Sequence, residues 1–289
     1  MKPLTVQALE RIGKDWSKSS EDREAKLQHV KEFASFAAKT YGLQDIGNLK
    51  PRHVEGYINN LREQGLSNGT ICNRLVHVRL LCDKIGKPGI VGRENEMYGV
   101  NRGESRSNPI TQNTEKVEQI RAQIREIAAT GNQKYIMANA AAELRDAFGM
   151  RAKESLCSTK IVEIQGFANL RVNISEAVRV EGAKGGRIRD IAITTKAQVE
   201  ALRTAQEASR LVGSVTGRII PPHMSLKQAY NAQRYIWEKL GGTRAEAAHM
   251  HSDRHEHAQE LVRQGYTAAQ IQQILGHGDD RPISCYVKK

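Results

Sequence analysis

The sequence has little of what builds disulfide-linked, zinc-bound or membrane-spanning proteins. Its four cysteines, Cys72, Cys82, Cys157 and Cys285, lie far apart and form no CxxC pair. This favours free thiols in a reducing compartment over a disulfide framework. No run of about 18 consecutive apolar residues exists, so no transmembrane helix is predicted. The first residues also lack the apolar segment of a signal peptide. We therefore expect a cytoplasmic protein.

The sequence contains fewer acidic than basic residues. Lysine and arginine together number 44 against 32 aspartates and glutamates, which gives a net charge of +12 and an isoelectric point near 9.6. So basic a chain is typical of proteins that bind a polyanion, most often nucleic acid. The alternative is a basic protein without such a partner. The acidic residues are scattered and form no carboxylate cluster of the kind that holds catalytic magnesium.

The first hundred residues have the apolar spacing of helices. Three segments, which begin near Asp22, Lys50 and Leu66, carry apolar residues three and four positions apart and end at glycines. This pattern predicts a helical domain over residues 1–88. Arg74 and Arg79 lie on the outer face of its last helix. Two interpretations stay open: they contact phosphate, since the face is basic and lacks acidic partners, or they lie on a solvated face.

The helical pattern breaks between residues 86 and 109. This stretch contains five glycines, two prolines and many polar residues. Such a composition is typical of an interdomain linker or an extended crossing segment. We predict a linker over residues 89–109 and a second domain over residues 110–289.

The second domain is predicted to combine helices with one small sheet. Its first helix is expected to have Thr111 as its cap, and an apolar, alanine-rich helix ends at Gly149. Apolar and polar residues alternate over residues 169–193 on both sides of GAKGG. This predicts a β-hairpin with a glycine-rich turn and with Lys184 at its tip. The fold class is therefore mainly α with a small β-sheet.

The stretch HMHSDRHEHA, residues 249–258, contains four of the nine histidines. His251 and His255 are four positions apart, so on a helix they share a face that suits a metal ion. His251 and Arg254 are three apart and also share a face, which suits a phosphate. Zinc would need a third and a fourth ligand, and no CxxC or HExxH motif supplies them. We therefore favour the phosphate interpretation and expect no metal.

Further candidate residues lie elsewhere in the chain. Arg151 follows an apolar helix in FGMRAKESL, and Glu154 comes three residues later. His277 lies in ILGHGDD, and Tyr286 follows nine residues after it. Each motif is weak alone, but their order and spacing together are specific.

These motifs together resemble those of the tyrosine recombinases, the phage-integrase-like enzymes that break and rejoin DNA. The matching segments are GMRAKESL, AKGGR, HSDRH, LGHGDD and CY, with LSNGTICNRLVHVRLL in the amino-terminal third. The resemblance covers nearly the whole chain. It implies a helical core-binding domain over residues 1–88 and a catalytic domain over residues 110–289. The implied catalytic set is Arg151, Lys184, His251, Arg254 and His277 around a nucleophilic Tyr286. Glu154 would orient Arg151, and His255 would support the arginine beside it.

Phosphodiester cleavage without metal or ATP requires these residue types. It needs a nucleophile, positive charge on the nonbridging oxygens and an acid for the leaving 5′ oxygen. Tyrosine has an ordinary pKa of about 10 and needs activation. Two guanidiniums bind phosphate oxygens as forks, and Lys184 on a hairpin tip can protonate the leaving oxygen. The histidines can donate hydrogen bonds or move protons.

The resemblance also implies partners. One partner is double-stranded DNA with a specific recombination site, and the chain is expected to form a homo-tetramer on two duplexes. The resemblance further implies a location at the nucleoid and a connection with mobile genetic elements. No cofactor is expected. Arg187, with Arg74 and Arg79, is a candidate DNA contact and predicts salt-sensitive binding. Two alternatives remain: a non-catalytic DNA-binding protein on a recombinase scaffold, and a type IB topoisomerase that relaxes supercoils without site preference.

Overall fold

The computed structural model describes residues 2–13, 20–101, 112–163, 176–182 and 186–276. The chain divides into two compact units, Met1–Glu104 and Ser105–Lys289. The described residues form eleven α-helices and one three-stranded antiparallel sheet. The predicted class, mainly α with a small β-sheet, is confirmed. Within this described part, no helix has the length and apolar character needed to cross a membrane.

The described residues of the first unit form four α-helices. They are α1 (Leu4–Ile12), α2 (Ser20–Tyr41), α3 (Pro51–Glu63) and α4 (Asn68–Lys84). Apolar residues three and four positions apart lie on one side of each helix, and together they form one buried core. Phe33, Ile58 and Leu75 are at most 1% exposed within it. The helical segments predicted from the apolar spacing are therefore confirmed.

Part of the predicted linker packs onto the first unit. Two short 3₁₀ helices, Pro88–Ile90 and Asn95–Tyr98, follow α4. Val91 and Val100 are 3% and 0% exposed in the core of this unit. Glycine and proline at these positions thus serve tight turns against a core rather than an extended crossing. The remainder of the predicted linker, residues 102–109, lies outside the described residues, and the predicted domain limits stay a prediction.

In the second unit, the part of the chain that the structure describes contains seven α-helices. They are α5 (Thr114–Ala129), α6 (Gln133–Phe148), α7 (Glu154–Cys157), α8 (Lys196–Leu211), α9 (Leu226–Lys239), α10 (Ser252–Arg263) and α11 (Ala268–Leu275). The alanine-rich α6 contacts α5, α7, α8, α9 and α10. Its small side chains, such as Ala140 and Ala141, are 0% exposed and let the neighbouring helices approach closely. The prediction that this helix forms the core of the domain is confirmed.

The start of α5 differs from the prediction. The helix begins at Thr114, and the Asn113 side chain caps it by accepting a hydrogen bond from the Lys116 amide at 3.0 Å. Asparagine is at least as good a cap as threonine, since its side-chain oxygen reaches the same amides. The prediction of Thr111 as the cap is therefore wrong, and Thr111 itself lies outside the described residues.

The sheet has the strand order β1 (Ile161–Glu163), β2 (Glu176–Val180) and β3 (Arg189–Ala192). The hairpin of β2 and β3 was predicted, and their antiparallel pairing confirms it. Val180 pairs with Arg189 at the turn end of the hairpin. The strand β1 was not predicted, because three residues are too few to show an alternating pattern. Residues 164–175 and the turn residue Lys184 lie outside the described residues.

Candidate active site

The carboxy-terminal end of α11 binds three arginines. The pairs are Arg189 Nε with the Ile274 carbonyl (2.9 Å), Arg254 Nη2 with the Leu275 carbonyl, and Arg151 Nη2 with the Gly276 carbonyl (3.2 Å). The last carbonyls of a helix have no partner within the helix, and the helix dipole gives them partial negative charge. The guanidiniums supply both the hydrogen-bond donors that these carbonyls lack and a positive charge that compensates their partial negative charge. Two of the predicted catalytic residues, Arg151 and Arg254, are therefore brought to consecutive backbone oxygens.

Arg254 lies in the first turn of α10 and is 1% exposed. Its Nη1 donates a second hydrogen bond, of 2.8 Å, to the carbonyl of Gly149. Gly149 ends α6 with a φ of +60°, and a Cβ there would lie 2.6 Å from the His257 ring. Glycine is thus required both by the backbone conformation and by the close approach of α10. The end of α6 and the end of α11 together fix the position of the Arg254 guanidinium.

Glu154 is a fully buried carboxylate between two arginines. Its oxygens accept hydrogen bonds from the backbone amide and Nη1 of Arg151, both at 2.7 Å, and from Nη1 and Nη2 of Arg189 at 3.0 and 2.9 Å. Burial alone would raise the pKa of Glu154, but the hydrogen bonds and charges of Arg189 and Arg151 lower it to about 2. The carboxylate is therefore ionised at neutral pH and holds both guanidiniums.

Arg189 is a site residue that the sequence analysis missed. The predicted DNA contact Arg187 lies two residues earlier and is exposed. The alternation of a strand places Arg189 on the same face as Ile191, which is 5% exposed in the core. That alternation was the available signal, since an arginine on the inward face of a strand requires a buried partner. Here the partner is Glu154.

The histidine cluster lies at the start of α10. His251 precedes the helix, and its ring centroid is 4.8 Å from that of His255 and 6.5 Å from that of His249. Although the residue reaches the surface, burial of the ring, followed by electrostatic repulsion from His255 and Arg254, lowers the pKa of His251 to about 3. His251 is therefore neutral at pH 7. Arg254 and Arg151 also lie close enough to lower the pKa of His251 through their charge.

The other histidines of this stretch make local contacts. His249 Nδ1 lies 2.9 Å from the Ser252 hydroxyl at the start of α10. His257 packs against Gly149, and burial lowers its pKa to about 4. Within the described ranges, no three histidine, cysteine, aspartate or glutamate side chains are grouped so that they could hold a metal ion.

The three predicted DNA-contacting arginines lie in different surroundings. In the first unit, Arg74 forms an ion pair with Glu32 and donates to the Tyr57 hydroxyl at 3.3 Å. The premise that this helix face lacks acidic partners is therefore wrong for Arg74. Arg79 donates to the carbonyl of Gly92 at 2.9 Å and so holds the segment after α4. Both make contacts within their own unit, and a DNA contact by either stays a prediction, as it does for Arg187.

Three predicted catalytic residues, Lys184, His277 and Tyr286, lie outside the described residues. The described part brings together five of the predicted residues: Arg151, Glu154, His251, Arg254 and His255. Arg151 donates a hydrogen bond to Glu154, and Arg151 and Arg254 both donate to carbonyls at the end of α11.

The sequence profile of the phage integrase family matches residues 113–289. The chain belongs to this family. A second profile, of the amino-terminal domain of phage integrases, matches residues 1–91 of this integrase-family chain. The predicted resemblance to the tyrosine recombinases is thereby confirmed. No curated protein matches the sequence significantly.

Solved structures share the fold of this integrase-family chain. The XerH site-specific recombinase bound to its difH substrate is 19% identical, with a TM-score of 0.58 over 91% of this chain and 75% of that chain. A lambda integrase dimer bound to a COC′ core site is 16% identical, with a TM-score of 0.58 over 95% and 90%. The Tn1549 transposon integrase in complex with transposon right-end DNA is 14% identical, with a TM-score of 0.58 over 98% and 93%. At these identities the likeness concerns the fold.

Proposed function

We propose that this protein is a site-specific DNA recombinase that cleaves and rejoins DNA through a covalent 3′-phosphotyrosine intermediate, without metal or ATP. The observation that carries the proposal is the meeting of Arg151 and Arg254 at the end of α11, with His251 within electrostatic range of both. Membership of the phage integrase family supports it. So do the recombinase–DNA complexes whose fold the chain shares.

The proposed reaction has two transesterification steps. The Tyr286 hydroxyl gives its proton to a histidine of the site, His251 or His277, and its oxygen attacks the scissile phosphorus. The bond from phosphorus to the 5′ oxygen breaks, and Lys184 gives its proton to that oxygen. The 3′ phosphate is then linked to tyrosine. In the second step the 5′ hydroxyl of another strand gives its proton to Lys184 and attacks this phosphorus, and Tyr286 leaves and takes its proton back from the histidine. The number of phosphoester bonds is conserved, so neither ATP nor an oxidant is needed.

The described side chains supply the electrostatics of these steps. Arg151, whose side chain is 30% exposed, is proposed to bind a nonbridging phosphate oxygen. Arg254 is nearly buried, where its positive charge acts through a low dielectric and stabilises the charge of the transition state. His251, neutral in the free protein, donates its ring N–H to the phosphate, and the phosphate charge raises the pKa of His251 on binding. His277 is proposed as a further donor.

The proposed partners follow from the same function. They are double-stranded DNA with a specific site and three further copies of this chain, which assemble as a tetramer on two duplexes. Lambda integrase forms such a tetramer on a Holliday junction. Arg74, Arg79 and Arg187 are proposed DNA contacts, with residues 1–88 as the core-binding domain and residues 110–289 as the catalytic domain.

Covalent capture tests the proposal. The purified protein is incubated with sheared genomic DNA of its source organism, denatured with detergent, and the DNA linked to protein is sequenced. A nicked suicide duplex of the recovered site should then yield a protein–DNA adduct with the wild type and with Tyr266→Phe, but not with Tyr286→Phe.

Three results would count against the proposal. A wild-type protein that binds a defined site without forming an adduct supports the non-catalytic alternative. Relaxation of a supercoiled plasmid without the site supports the topoisomerase alternative. An adduct that survives in Tyr286→Phe assigns the nucleophile to another residue.

A further inference from the structure

Three charged or polar side chains are buried together between α6, α9 and α10. Arg145, Gln233 and Asp253 are 1%, 2% and 1% exposed. The Arg145 guanidinium lies 5.0 Å from the centroid of the Trp237 ring, in an apolar layer of the second unit. We call these three residues the buried polar cluster. Their hydrogen bonds, and not only their burial, set them apart from the surrounding core.

The hydrogen bonds of the buried polar cluster form one continuous path. Asp253 Oδ2 accepts from Arg145 Nε at 3.0 Å, and Arg145 Nη1 donates to Gln233 Oε1 at 2.9 Å. Gln233 Nε2 then donates to the backbone carbonyl of Ala152 at 2.7 Å. One end of the path is the residue before Arg254, and the other is the residue after Arg151.

Stability alone does not account for such an arrangement. Burial of an arginine and an aspartate costs desolvation, and a buried ion pair often adds no net stability over apolar side chains of similar volume. Arg121 is a second partner of Asp253, at 3.1 Å, and also pairs with Asp146 nearer the surface. What apolar side chains cannot supply is a directional bond to the Ala152 carbonyl, which fixes the backbone where Arg151 is anchored.

We propose that the buried polar cluster fixes the spacing of Arg151 and Arg254, so that Asp253, Arg145 and Gln233 are positioning residues for the phosphate-binding pair. The inference rests on the proposed function for its effect on DNA cleavage, but not for its effect on phosphate binding. The cluster holds the main chain beside each arginine, while Glu154 and the end of α11 hold their guanidiniums. Loosening the path misplaces the two charges relative to each other and relative to the scissile phosphate.

The test compares two variants of the cluster with a matched control. Gln233→Met removes the hydrogen bonds to Ala152 and from Arg145 and leaves the ion pair of Arg145 with Asp253 in place. The double variant Arg145→Met with Asp253→Leu replaces the ion pair by apolar side chains. Glu143 lies on the same helix as Arg145 and forms a more exposed ion pair with Arg125. Glu143→Gln breaks this pair and serves as the control. Thermal melting identifies variants that fold, and if the double variant does not, Gln233→Met decides.

Three measurements are made on the folded variants. The rate of adduct formation at saturating DNA should fall on the order of 10- to 100-fold in the cluster variants, because misplacement by about 1 Å costs that much. Their DNA dissociation constants should change by less than about twofold. Affinity for inorganic phosphate, measured by titration calorimetry, should weaken in the cluster variants and stay unchanged in Glu143→Gln.

A double-mutant comparison distinguishes positioning from general loosening. If Gln233 acts through Arg151, Gln233→Met should add little to the rate loss of Arg151→Lys. An equal factor in both backgrounds would overturn the inference, as would wild-type rates and wild-type phosphate affinity in the cluster variants. A wild type that forms no adduct, together with weakened phosphate affinity in the cluster variants, would overturn the proposed function and leave the inference standing.

Discussion

Glu154 combines full burial with full ionisation. Burial would favour its protonated form, but Arg151 and Arg189 donate hydrogen bonds to both of its oxygens and lower its pKa to about 2. One carboxylate thereby orients a guanidinium of the proposed site and ties β3 to it. The resemblance to the tyrosine recombinases implies that Glu154, three residues after Arg151, orients it. The contribution of Arg189 comes from a strand and required the fold.

Replacement of Glu154 should therefore cost both stability and activity. Glu154→Gln leaves two guanidiniums facing a neutral amide, and loss of one member of a buried ion pair costs about 3 kcal/mol. Urea unfolding followed by circular dichroism measures the free energy, and adduct formation measures the activity. Glu143→Gln, which breaks a more exposed pair, should cost less than about 1 kcal/mol. Equal costs in the two variants would contradict this account of Glu154.

His257 should make the stability depend on pH. Burial lowers its pKa in the folded protein to about 4 from an ordinary value of 6.5. Between pH 6.5 and about 4 the unfolded chain binds a proton that the folded chain does not, so stability falls as the pH falls. At pH 5 the loss from this residue is about 1 to 2 kcal/mol.

Urea unfolding at pH 7.5 and pH 5 checks this expectation. His257→Gln should remove that part of the pH dependence, while His223→Gln, at an exposed position, should retain it. An unchanged pH dependence in His257→Gln would refute the assignment.

At the scale of single elements, α11 does more than pack its apolar face. Thr267 caps its start in a capping box with Gln270, and Gly276 ends it with a φ of +62°. Its last carbonyls accept hydrogen bonds from Arg189, Arg254 and Arg151. The helix is short, so the position of its end depends on these contacts as well as on its buried residues.

Two glycines allow the end of α11 to be tested with an internal control. Gly276→Ala places a methyl group 2.9 Å from Arg189 Cδ, whereas Gly265→Ala, after α10 at a φ of +81°, meets nothing within 4 Å. Both variants carry the cost of a left-handed backbone, about 1 to 2 kcal/mol. Gly276→Ala should cost about 1 kcal/mol more, because the crowded side chain must shift. Adduct formation should slow in Gly276→Ala only, and equal losses in both variants would argue against the role of Arg189.

The sequence predicted most elements but not all of their contacts. Periodic apolar residues gave α2, α3, α4 and α6, and the alternation over residues 176–192 gave the hairpin. The three-residue β1 and the 3₁₀ helices after α4 were beyond reach, because elements of three or four residues carry no period. The buried ion pair of Arg145 and Asp253 was also missed, since charge in a helix is ordinarily read as surface and only packing shows that it is enclosed.

At the scale of the whole molecule, the charge of +12 predicts how DNA binding responds to salt. Each phosphate that the protein neutralises contributes about −0.9 to the slope of log K against log salt. Six or more contacts would weaken binding about a thousandfold or more between 50 and 200 mM KCl. Arg187→Gln should reduce the slope by about 1, and Arg203→Gln, which breaks an exposed ion pair on α8, should leave it unchanged. A slope near zero would contradict binding through the DNA backbone.

Part of the candidate site could be predicted from the sequence, and part of it could not. The order and spacing of Arg151, His251 and Arg254 predicted a common site, and the fold brings them together. The means by which they meet was not predictable, since it consists of backbone carbonyls and of partners more than a hundred residues away. Lys184 and Tyr286, whose roles rest on the resemblance, are tested by chemistry rather than by the described geometry.

The three arginines at the end of α11 have a consequence for how this sequence can diverge. Their acceptors are main-chain oxygens, which every amino acid supplies, so the side chains of Ile274 and Leu275 are constrained by packing rather than by the arginines. Substitutions there that keep the apolar volume should accumulate without loss of the site. Gly276 is restricted more strictly, by its backbone and by the nearby Arg189. Related proteins can therefore lose recognisable identity along α11 while they retain the same arrangement of guanidiniums.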